Sequence, residues 1–148
     1  MQVTNNDGLY FELKSNGDVL RIDLLKFSHP NAELDWDRRW INSLVTLKAG
    51  GFSGEFKCDL RIDDFNSFKD ELLVLYDKLD STALFETLEG QLTINMKGDG
   101  IGHLEANCSA MDVAGIGNKL DFELSFDQTM IPHMIRQLEN IANTFQAN

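Results

Sequence analysis

The 148-residue chain is long enough for one domain with a proper core and too short for two comfortable ones, and a 43% hydrophobic content excludes wholesale disorder. Its formal charge of −11 repels phosphate backbones and anionic membrane surfaces, so neither nucleic acid nor membrane is an expected partner. The same field steers a basic partner inward.

The opening residues, Met1 to Gly8, are polar and carry neither the basic nor the apolar region of a secretory signal. No apolar run approaches the roughly 20 residues of a membrane-spanning helix. Cys58 and Cys108 lie far apart and form no CxxC pair, so they read as two reduced core thiols of a cytoplasmic protein. There is no linker and no internal repeat, and residues 1–148 read as a single domain.

Leu9, Phe11 and Leu13 alternate with Tyr10, Glu12 and Lys14, which predicts a strand, and Asn16-Gly17 suits a type I′ hairpin turn. Leu20, Ile22 and Leu24 form the second apolar face. From Phe27 to Asp37 the periodicity lapses, and Pro30 marks a loop. Ile41, Val45 and Leu47 share the face of a third strand, which Gly50-Gly51 ends. In the next, Phe52, Phe56, Cys58, Leu60 and Ile62 point one way and Ser53, Glu55, Lys57, Asp59 and Arg61 the other.

At Asp63 the period changes to about 3.6. Phe65, Phe68, Leu72, Leu75, Tyr76 and Leu79 line one side of a helix over about 63–80, with Asp63 placed as its N-cap. Strands through Leu84 and Leu88, through Leu92, Ile94 and Met96, and through Leu104, Ala106, Cys108 and Ala110 follow. The last strand carries Leu120, Phe122, Leu124 and Phe126, beside the small residues Ala106, Cys108 and Ala110. A second helix is expected over about 130–145, capped by Thr129 with Pro132 in its first turn, burying Ile131, Ile135, Leu138, Ala142 and Phe145. This order predicts an α+β domain: a mostly antiparallel sheet or half-barrel of about seven to eight strands with two helices packed on it.

The chemistry is sparse. His29, His103 and His133 lack metal-ligand spacing, and no metal or cofactor is implied. Gly98 to Gly102 lacks the Lys and Ser/Thr of a P-loop and precedes a strand, so it reads as a hairpin turn. Gly51-Phe52-Ser53-Gly54 is no nucleophile elbow. Asp35-Trp36-Asp37 lacks the glycine and glutamate of a calcium loop. With no catalytic residues to name, a non-enzymatic binding protein is the leading reading.

Two clusters remain. Asp35, Trp36, Asp37, Arg38, Arg39 and Trp40 bring aromatics and charges together, either as a partner surface or as a loop anchored to the core. The strand ends place Asp99, Gly100, His103, Asp127 and Gln128 at one sheet edge. The partner-binding candidates are Asp35, Trp36, Asp37, Arg38, Asp99, His103 and Gln128.

Taken together, Trp36-Asp37-Arg38-Arg39-Trp40, Gly98-Asp99-Gly100-Ile101-Gly102-His103, Gly117-Asn118 and Asp127-Gln128-Thr129-Met130-Ile131-Pro132 give a pattern. From about Leu34 to Phe145 the chain resembles small bacterial proteins associated with WapI-like immunity proteins of polymorphic toxin systems. The resemblance implies a cytosolic antitoxin that binds a toxin, and the acidic charge suits a basic toxin domain, neutralised by occlusion. Two alternatives stand beside it: a self-associating structural or regulatory module, for which a homodimer through uncovered sheet edges is the expected form, and a small-molecule enzyme.

Overall fold

The computed structural model describes residues 9–145, so Met1 to Gly8, read above as no signal sequence, lie outside the described residues. Strands β1 (Tyr10–Ser15), β2 (Asp18–Phe27), β3 (Trp40–Ala49) and β4 (Phe52–Arg61) precede helix α1 (Ile62–Lys78). Strands β5 (Thr82–Glu86), β6 (Leu92–Gly98), β7 (His103–Met111) and β8 (Lys119–Asp127) precede helix α2 (Ile131–Thr144). Every strand pairing is antiparallel. The α+β class with eight antiparallel strands is thus borne out, but the strands divide into two sheets, β1-β2-β3-β4 (sheet A) and β5-β6-β7-β8 (sheet B). The break falls at α1, because a 17-residue helix carries the chain away from β4 before β5 begins. Each half therefore has the same order, four strands and a helix, although no repeat is visible in the residues.

Turn chemistry sets the registers. Asn16 and Gly17 have φ of 51° and 90°, the two positive values a type I′ turn needs, and they close on the pair Ser15 and Asp18. Gly50 has φ 61°, and the two-glycine loop closes on Ala49 and Phe52. Across β7 and β8, Cys108 faces Phe122 and Ala106 faces Leu124, the expected pairing of small with bulky residues. Phe52 departs from expectation. It lies on the inner face but is 66% exposed, because the β3–β4 tip overhangs an open concavity bounded by Ala110 and Leu120.

The apolar faces of both sheets and of both helices join in one core cluster. Phe68 of α1 lies at its centre, fully buried, with Phe11 of sheet A at 5.6 Å and Phe85 of sheet B at 5.8 Å between ring centroids. Helix α1 is the wedge that keys one sheet to the other.

The helix ends differ from expectation. Arg61, not Asp63, is the N-cap of α1 and makes no side-chain cap bond. The helix starts one residue early because Ile62 continues the buried stripe, which leaves Asp63 free to pair with Arg39 at 2.7 Å. At the other end Tyr76 is exposed, and Leu79 adopts φ 64° as the C-cap, its N–H donating to the Leu75 carbonyl. Thr129 does not cap α2. It donates its N–H to Asp127, which caps a 3-10 turn over Gln128–Met130, and α2 follows from Ile131. Met134 and Ile141 are buried on α2, whereas Ala142 is only partly covered.

On three of the four sheet edges one outward backbone group is engaged by a side chain. On β1, the Glu12 N–H donates to Gln137 Oε1 at 3.0 Å. On β5, the Leu84 N–H donates to Glu71 Oε1 at 2.8 Å. On β8, the Ser125 carbonyl accepts from the Ser15 hydroxyl. The fourth edge is β4.

Candidate functional site

The first cluster forms where the loop after β2 enters β3 through a 3-10 turn, Asp37–Arg39. Arg38 pairs with Asp35 and donates to the Ala32 carbonyl at 2.7 Å and the Glu33 carbonyl at 3.1 Å, so its charge is spent on holding the loop. Trp36 stacks under the Arg61 guanidinium, 4.4 Å from ring centroid to carbon, and Arg61 in turn pairs with Asp64 at 3.2 Å. Burial raises the Asp64 carboxyl above its ordinary range, against the pull of Arg61. Trp36 is nevertheless 49% exposed, and Asp35 is open to solvent. Anchor and surface coexist: the arginines fix the loop from within while one face of Trp36 and the carboxylate of Asp35 look out.

Beside this loop is an open groove of about 620 Å³ lined by His29, Asp37, Trp40, Asp59 and Glu89. Asp59 accepts a hydrogen bond from the Ser28 hydroxyl at 2.9 Å. Asp59 and Glu89 were not among the predicted residues. Asp59 was legible only as a wet strand position, and Glu89 arrives from the turn before β6, a juxtaposition that no local sequence signal carries.

The second cluster occupies the β6–β7 turn. Asp99 accepts the Ile101 N–H at 2.8 Å and the His103 N–H at 3.1 Å, and these bonds hold its carboxyl below the usual range. His103 faces Asp127 across β7 and β8. The Asp127 carboxyl is likewise lowered, first by the Thr129 hydroxyl and then by the Thr129 N–H. The Gln128 N–H donates to the Gly102 carbonyl at 2.8 Å, and a Cβ on Gly102 would meet the Gln128 side chain. Asp99, His103 and Asp127 line a concavity of about 600 Å³ with Lys97, Glu105 and Phe126.

The seven predicted residues therefore form two groups. Arg39 pairs with Asp63 at the start of α1, whereas the Gly100 N–H donates to the Leu79 carbonyl at its end. A helix of 17 residues separates them by about 25 Å. They do not make one pocket.

Among the described residues no group of three His, Cys, Asp or Glu side chains is placed to hold a metal ion, and no helix is long and apolar enough to cross a membrane. Cys58 and Cys108 are free and buried.

The profile of the immunity protein WapI-like family matches residues 10–146. No curated protein matches the chain. Among solved structures the chain is similar to trypanosoma bruciei MRP1/MRP2, at 8% identity and a TM-score of 0.47 over 95% of this chain and 82% of that one. With nearly its whole length matched by the family profile, the chain belongs to the immunity protein WapI-like family.

Proposed function

We propose that this member of the immunity protein WapI-like family neutralises a protein toxin by binding it stoichiometrically and covering its working surface, without chemistry of its own. The observation that carries the reading is the family match, which spans both sheets and both helices. The charge of −11 suits a toxin with a cationic surface, because opposite fields raise the rate of encounter and penalise wrong partners. The contact surface proposed is the loop group Asp35, Trp36, Asp37 and Arg38, with Asp99, His103 and Gln128 as a second, separate contact.

The test is sedimentation and titration of the purified protein with a candidate basic toxin domain, alongside rescue of growth in cells expressing that toxin. A salt-sensitive one-to-one complex, weakened roughly tenfold or more by the Asp35→Lys/Asp37→Lys double variant, is expected. Toxins of complementary charge that show neither binding nor rescue would sink the reading.

Self-association is the second reading, and the uncovered edge of β4 is the observation in its favour. A strict monomer at micromolar concentration removes it.

A further inference from the structure

The β3–β4 hairpin determines which backbone groups of β4 are spoken for. In a two-residue hairpin the closing pair, here Ala49 and Phe52, exchanges both hydrogen bonds, and such pairs alternate along the ladder. Gly54, Phe56, Cys58 and Leu60 therefore turn their N–H and C=O groups toward β3. Ser53, Glu55, Lys57 and Asp59 turn theirs outward. Among the described residues, no turn, loop or cap hydrogen bond of the backbone reaches these outward groups. On the other three edges Gln137, Glu71 and Ser15 each engage one outward backbone group, and among the described residues β4 has no such side-chain bond. An open edge of ten residues is a template for another strand.

The space beside that edge is shaped to receive one. The groove of about 620 Å³ next to Trp40 shares Asp59 and Glu89 with a second concavity of about 590 Å³. That second concavity shares Asp112 with a third, of about 310 Å³, under Phe52 and Phe56. Linked by these shared residues, the three concavities follow β4 and make a trench: its walls come from the loop before Trp40, from Lys26 and Asn42 of sheet A, and from Glu89, Gln91 and Asp112 on the side of sheet B. Its lining carries the carboxylates Asp37, Asp59, Glu89, Asp112 and Glu55 against the ammonium groups of Lys26, Lys57 and Lys119, so acid is in excess. Phe52, Phe56 and Leu120 make one end apolar.

We propose that β4 accepts an extended, basic segment of a partner protein as a fifth strand of sheet A. Main-chain bonds to Ser53, Glu55, Lys57 and Asp59 supply the pairing. Because alternate side chains of an added strand face the trench, the segment carries Lys or Arg opposite Glu89 and Asp112 and an apolar residue opposite Phe56. That the partner is a toxin rests on the reading above; the open edge and the trench do not.

The probe is a dye-labelled nine-residue peptide whose alternate positions carry two Lys followed by Val, with Thr between them (the Lys–Val peptide), and the control has Glu in place of both Lys, each titrated into the full-length protein. Saturable binding of the Lys–Val peptide is expected, roughly tenfold or more tighter than the control, with slowed amide exchange at Ser53, Glu55, Lys57 and Asp59. Lys57→Pro removes one outward N–H and leaves the β3 ladder intact, so it should lower affinity by about tenfold or more with an unchanged circular dichroism spectrum. Glu89→Lys, on the opposite wall, should weaken binding several-fold and serves as the test if the proline variant fails to fold. Absence of saturable binding, equal binding of the control, or protection elsewhere would overturn the proposal. So would a dimer at neutral pH abolished by Lys57→Pro, which would assign the edge to a second copy. If folded Lys57→Pro binds the Lys–Val peptide as tightly as the unaltered protein while still neutralising a toxin, the edge proposal falls and the immunity reading stands. If the edge binds the peptide but the protein neutralises no toxin, only the immunity reading falls.

Discussion

Asp99 and Asp127 are surface carboxylates whose ionisation is tied to folding. Both are held below the ordinary value of about 3.9 by hydrogen bonds that the unfolded chain lacks. A depressed folded value contributes stability that is present above the unfolded pKa and lost as pH falls through the folded one. Asp64, raised by burial, works in the opposite sense and favours the folded state more once protonated. The Asp99→Asn/Asp127→Asn variant should therefore show a shallower loss of Tm than the unaltered protein below about pH 4, read by thermal melts across pH. The thiols behave differently. Burial pushes Cys58 and Cys108 up to about 12, so almost no thiolate exists at pH 8. A disulfide-exchange reagent at that pH should titrate both thiols quickly in denaturant and only slowly in the native protein.

Among the elements, the edges matter most. Gln137 is 93% buried on α2 and serves β1 through a bond to the Glu12 N–H, so a polar side chain sits in an otherwise apolar stripe for a reason. Gln137→Leu keeps the volume but strands that N–H. A loss of about 1–3 kcal/mol is expected in denaturant unfolding, with faster exchange at the Glu12 amide. The strands themselves were legible in the sequence because alternation and turn chemistry are local: Asn16-Gly17 and Gly50-Gly51 set registers directly, and the step from a period of two to 3.6 marked α1 to within a residue or two. Other features were not, because they depend on residues far apart in the chain. Nothing near Gln137 or Glu71 announces the strand each will serve, and nothing near Glu89 announces Asp59. The loop from Asp35 to Trp40 was legible as a cluster, but its division into an internal arginine frame and an exposed tryptophan face required Arg61 and Asp63 to be in place.

For the whole molecule, stability depends on the joint between two similar halves. Phe68 touches aromatic rings from both sheets, so Phe68→Ala removes packing on each side of the joint at once. A loss of about 3–5 kcal/mol is expected, measured by urea unfolding, with Phe11 and Phe85 losing their shared neighbour. The division into two sheets was not readable from periodicity, since a single sheet and a split one give the same alternation along each strand; only the placement of α1 between Phe11 and Phe85 decides it. The unsealed β4 edge also has a consequence for colloidal behaviour. At neutral pH, mutual repulsion of molecules carrying −11 keeps such edges from meeting. Near the isoelectric point of about 4.5 that repulsion vanishes, and two molecules can pair through their β4 edges. The weight-average mass from light scattering should approach that of a dimer there and fall back toward the monomer in Lys57→Pro. Salt and buffer choice would then govern shelf life more than melting temperature does.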